Sequence, residues 1–145
     1  MKSQEALAVW KILSQAKYSK MSDADKVKAW KACRALKTAA TSFEDACKDA
    51  AMSMKPAGDF DKDLKRAMEY EQHRDRSDMT DEEYRAFIDE FKKYNALVGD
   101  AVREYGEKEV EISFEPLTDE AFAALMASND WNMQQADMVG DYLLA

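Results

Sequence analysis

Apolar residues in this chain recur mainly at helical spacings, and in two places they follow the alternating three-four step of a heptad seam. In the first, Ala29, Ala32, Leu36, Ala39, Phe43, Ala46 and Ala50 line one side of a stretch that holds neither Gly nor Pro. Ser22 is placed to cap its start, with Asp23 and Asp25 in the first turn complementing the helix dipole, so a long helix is expected from there to about Met54. In the second seam, Tyr84, Phe87, Phe91, Tyr94, Val98, Ala101 and Tyr105 repeat the same steps. Thr80 and Glu83 form a capping box before it, and Gly106 is expected to stop it. One seam is small and the other large, which suits interdigitation in a core. They could meet as an antiparallel pair within the chain, or each could meet its own copy.

Shorter helices complete the pattern. Ala6, Val9, Trp10, Leu13 and Ala16 predict an amphipathic helix over about Gln4 to Tyr18. Lys55-Pro56-Ala57-Gly58 breaks the chain before a third helix near Asp59, which holds Phe60, Leu64, Ala67 and Met68 on one side. Residues 69 to 79 are almost wholly polar and predict a fraying helix end and a surface loop. Thr118 is expected to cap a short helix carrying Phe122, Leu125 and Met126. After a break at Ser128-Asn129-Asp130, a last turn or two should carry Met133, Ala136, Val139 and Leu143.

One segment departs from the helical period. Val110, Ile112 and Phe114 alternate with Glu109, Glu111, Ser113 and Glu115, and Pro116 ends the run. A lone strand cannot satisfy its backbone, so this segment either lies along the bundle, pairs with another copy, or receives a strand from a partner. The fold class expected is therefore mainly α: a helical bundle with two long antiparallel helices, short packing helices and one strand-like segment near 109–115. The chain reads as a single domain over 1–145, with 104–145 as a small acidic C-terminal subregion.

Charge divides the chain. Residues 1–55 carry 11 Lys or Arg against 6 Asp or Glu, and residues 56–145 carry 10 against 23, so a basic front meets an acidic remainder in a protein of net charge -8. The polar flank of the first seam carries Lys26, Lys28, Lys31, Arg34 and Lys37 with little aromatic interleaving, which argues against nucleic acid as the partner. The candidate partner-binding residues are Lys28, Lys31 and Arg34 on this flank, Val110, Ile112 and Phe114 on the strand-like edge, and Trp131 in the acidic end. No apolar run approaches the roughly 20 residues of a membrane span, and the opening stretch lacks a secretory core, so a cytoplasmic protein without membrane contact is expected. Cys33 and Cys47, both on the first long helix, would lie about 21 Å apart along it, too far for a disulfide.

Candidate chemistry changes this picture little. Asp59-Phe60-Asp61-Lys62-Asp63 imitates the start of a calcium loop, but Leu64 stands where the turn needs Gly and Tyr70 where a closing Glu is needed. The only histidine, His73, lies four residues after Glu69, a two-ligand pattern too small for a zinc centre. No phosphate loop, nucleophile elbow or Cys-His pair with supporting context is present. No cofactor, metal or small-molecule substrate is expected. The chain reads as a non-catalytic interaction or assembly protein. The alternatives are an acidic inhibitor or nucleic-acid mimic that fills a basic groove, and an enzyme built on scattered carboxylates or a metal.

The plan also resembles small helical proteins of phages and prophages. The resemblance rests on the Lys-rich opening helix pair, Phe43-Glu44 in a long helix, a second long helix, Glu109-Val110-Glu111-Ile112, and Pro116-Leu117-Thr118 before short helices. The polar stretch from Glu69 to Met79 departs from it. The resemblance implies an accessory or assembly role through partner binding, with self-association one form of it.

Overall fold

Hydrophobic periodicity and end signals produce six helices in the computed structural model, which describes residues 1–75 and 77–144. They are α1 (Ser3–Ser14), α2 (Asp23–Ser53), α3 (Phe60–Gln72), α4 (Asp81–Glu107), α5 (Asp119–Ser128) and α6 (Met133–Leu143). The protein is mainly helical, as its periodicity predicts. No helix is long and apolar enough to cross a membrane among the described residues.

The caps explain where the helices begin. Ser22 Oγ accepts from the amide of Asp25 at 3.2 Å, Thr80 Oγ1 from Glu83 at 3.1 Å and Thr118 Oγ1 from Ala121 at 3.1 Å. Glu83 uses its carboxylate on Arg66 Nη2, at 3.1 Å. Asn132, which the sequence reading passes over, makes a full capping box with Gln135 and lets α6 run three turns where one or two were expected.

Three boundaries differ from expectation, each for a physical reason. Helix α1 ends at Ser14; Tyr18 instead folds back in a turn and donates its hydroxyl to the Leu13 carbonyl at 2.7 Å. Helix α3 continues to Gln72, and the stretch read as surface contributes Tyr70 and Met79 to a core, exposed only 5% and 7%. Gly106 does not stop α4. It is buried one residue inside the helix end, where an added Cβ would come within 3.0 Å of Gln4 Oε1 and 3.3 Å of Gln4 Cβ, so the missing side chain permits close approach.

The chain divides into two compact units, Met1–Asp45 with Tyr105–Ala145, and Ala46–Glu104; α2 and α4 contribute to both. The first unit has a mostly aliphatic core, built from Ala6, Val9 and Leu13 of α1, Ala29, Ala32 and Leu36 of α2, Phe122 and Leu125 of α5, and Val139 and Leu143 of α6. Helix α6 packs on both α1 and α5. Asn129 ties the α5 end to the turn after α1: its Nδ2 donates to Lys17 O and its Oδ1 accepts from Lys17 N, both at 2.8 Å.

The second unit is built on aromatics. Phe60 of α3 lies 5.6, 6.1 and 5.2 Å, centroid to centroid, from Phe87, Phe91 and Tyr94 of α4. Tyr70 stacks on Tyr84 at 4.1 Å. Arg66 binds Asp78 at 2.9 Å, Glu83 at 3.1 Å and Asp63 at 3.2 Å, clasping α3 to the approach and first turn of α4. The Asp78 carboxyl is held below its ordinary range chiefly by its hydrogen bond to Arg66.

The seams are therefore real as covered stripes. All seven positions of the α4 seam are buried or half-buried, while Arg85, Ala86, Asp89 and Glu90 beside them are exposed. Each seam has further burying partners in the shorter helices. The cluster around Ala29, Ala32 and Leu36 draws on α1, α5 and α6, and the cluster around Phe87 and Phe91 draws on α3.

Candidate partner-binding groove

Helix α2 presents a second stripe beside its buried one. Val27, Trp30, Arg34, Lys37 and Thr41 step by three and four, and all five are exposed, Val27 by 51% and Trp30 by 57%. A straight helix places such a stripe next to the buried seam because residues one apart point about 100° from each other. Large apolar side chains left open at this spacing are the informative observation, since a solvated helix flank needs none.

Two adjoining hollows lie along this stripe and share Trp30 and Cys33. One, of about 440 Å³, is lined by Leu13, Tyr18, Lys26, Val27, Trp30 and Cys33. The other, of about 570 Å³, adds Trp10 of α1 and Arg34, Lys37, Thr38, Thr41 and Ser42 of α2. Leu13 forms part of the floor and is 1% exposed. The Arg34 guanidinium lies 5.2 Å from the centre of the Trp30 ring, a cation–π contact that also holds the ring in place.

The groove's electrostatics are one-sided. Lys26, Arg34 and Lys37 line it, and none of the lining residues is Asp or Glu. Cys33 supplies no nucleophile: burial pushes its thiol up, with the Tyr18 hydroxyl 3.3 Å away opposing this only in part. Burial, then Cys33, raises the Tyr18 hydroxyl as well. Both stay protonated near neutral pH, and a protonated thiol reacts poorly.

The residues singled out from sequence fall into separate places. Arg34 lines the groove, Lys31 is exposed, and Lys28 is engaged with Glu115 Oε1 at 3.1 Å. Val110, Ile112, Phe114 and Trp131 are partly buried against the first unit's own core. Exposure alternates along 110–115 with the predicted period of two. Among the described residues no strand ladder forms there: Glu109 bridges Lys2, Leu117 bridges Leu144, and 111–116 make no backbone hydrogen bond. What that segment leaves open is its backbone, since its apolar side chains face inward.

Two of the three carboxylates of the calcium-like run are committed elsewhere, Asp61 to Lys55 at 2.6 Å and Asp63 to Arg66. Among the described residues no three His, Cys, Asp or Glu side chains are grouped to hold a metal ion. Sequence reasoning missed Trp10, Val27 and Trp30. The available signal was Trp30 standing among Lys28, Lys31, Arg34 and Lys37, one aromatic residue on a basic flank. No protein-family model, curated protein or solved structure matches the chain.

Proposed function

We propose that this chain is a non-catalytic interaction protein that docks another protein along the exposed stripe of α2, in an accessory or assembly role of the kind the phage-type resemblance implies. The observation that carries this reading is the open Val27–Trp30 surface, with Trp30 shared by two adjoining hollows. Covering the exposed parts of these two side chains offers on the order of 4 kcal/mol, enough to anchor a contact that polar neighbours then orient.

Other observations support companion features. Opposite courses of α2 and α4 are supported by Gly106 lying beside Phe43 and by Tyr94 donating to the Ala51 carbonyl at 2.7 Å. The unpaired backbone of 111–116 is a second edge that a strand from a partner or another copy could extend. An acidic mimic is less well supported, because Glu107, Glu109, Glu115, Asp63, Asp78 and Glu83 are engaged in ion pairs within the chain.

A photo-cross-linking residue at exposed Thr41, introduced in the cells that make the protein, tests the reading. A protein adduct that disappears with Trp30→Ala is expected; an adduct to a second copy would identify the partner as self. Absence of any protein adduct from position 41, with adducts forming from exposed Lys93, would remove the groove as the docking face.

A further inference from the structure

The groove's chemistry narrows what it can hold. Its lining combines exposed aromatic and aliphatic surface with three cations and no carboxylate, in a protein whose net charge is -8. A cationic groove on an acidic chain repels nothing acidic locally, while the rest of the surface disfavours unspecific binding of polyanions. Cations flank the apolar surface on both sides: Lys26 lies beside Val27, and Arg34 and Lys37 follow Trp30. Val27 lies at one end with Leu13 and Tyr18, and Lys37 at the other with Thr41 and Ser42. Ten helical residues span about 15 Å.

We infer that the partner is an acidic protein segment carrying an apolar anchor, the anchor seated against Val27 and Trp30 and its carboxylates on Arg34, which lies over the Trp30 ring, and on Lys37 beyond it. This rests on the docking role proposed above for the same stripe. Carboxylates suit the cationic end, where Arg34 can offer paired N–H donors and Lys37 a point charge, with hydroxyls of Thr41 and Ser42 alongside. At the apolar end Leu13, Tyr18 and Val27 line the hollow with Trp30, and the Tyr18 hydroxyl is tied down to the Leu13 carbonyl. An aliphatic or aromatic side chain fits that end, and the oligomer in the test below decides between it and a nucleobase.

The test uses the full chain and a panel of fluorescently labelled 16-residue amphipathic peptides of equal apolar content and net charge -6, 0 or +6, with a 16-nucleotide thymidine oligomer beside them. The acidic peptide is expected to bind at least tenfold tighter than the neutral one in 50 mM salt and to lose most of that advantage at 500 mM. Trp30→Ala should weaken it about tenfold, and Arg34→Gln with Lys37→Gln should reduce it to the neutral peptide's level. Lys92→Gln with Lys93→Gln should change it less than twofold. Equal, Trp30-dependent binding of neutral or cationic peptides would overturn the acidic partner and leave the docking groove standing. Tighter binding of the oligomer would overturn it in favour of nucleic acid. Binding of no peptide in a Trp30-dependent way would overturn both readings.

Discussion

The two units solve the same burial problem with different materials. The first packs mostly Ala, Val and Leu from four helices, with Met21 and Phe122 among them. The second holds all of α3, most of α4 and the end of α2, and relies on Phe60, which lies against three other rings, with an Arg66 clasp at the surface. Both units leave apolar side chains in water, Val27 and Trp30 on the first and Met68 and Leu97 on the second. The proposed docking stripe lies on the first unit, where α2 is anchored by Ala29, Ala32 and Leu36 and Arg34 stacks on exposed Trp30.

Phe60→Ala breaks the contrast most severely. A loss of about 3–5 kcal/mol is expected for a buried Phe, and it should be local: hydrogen exchange should accelerate in 60–104 while amides of 3–14 keep their protection. Uniform loss along the chain would show that the units do not unfold separately. Next comes Leu36→Ala, with Leu36 fully buried in the first unit; about 3 kcal/mol is expected by urea unfolding, with the exchange pattern reversed.

A smaller effect belongs to the clasp. Arg66 holds Asp78 below its ordinary range, so the folded state binds the proton less readily than the unfolded one. The resulting stability is present above the ordinary carboxylate value of about 3.9 and is lost as pH falls through the folded value. Arg66→Met should flatten this acid limb in unfolding curves recorded below about pH 5. An unchanged limb would assign it to other carboxylates. Smaller still, Gly99→Ala should stabilise by about 0.5–1 kcal/mol, because Gly99 lies inside α4 with nothing within 4 Å of an added Cβ. Gly106→Ala should lack that gain, since the added methyl meets Gln4.

Helix number and type were legible because the seams and caps are local signals that tertiary packing did not override: Ser22 and Thr118 cap as read, and Thr80 caps while its expected box partner Glu83 turns to Arg66. What buries each seam was not legible, because a stripe of Ala or Phe specifies that something covers it and not which helix does. Tyr70 and Met79 were lost in a polar stretch for a related reason. Isolated apolar residues carry no period, and only the fold brings them to Phe87. The groove was half visible. Arg34 stood out by charge, whereas Trp30 and Val27 fell between seam positions and were read as background to it. The candidate edge at 110–114 shows the converse: its period of two was read correctly, yet that period records packing on the first unit's core as readily as pairing with a strand.

The claim that Trp30 serves a partner and not the fold is tested most directly by measuring both properties on one variant. Trp30→Ala, examined by urea unfolding and by titration with the acidic amphipathic peptide, is expected to keep stability within about 0.5 kcal/mol of the parent while losing about tenfold in affinity. A large loss of stability with unchanged affinity would contradict it, and would make Trp30 a packing residue that happens to face water.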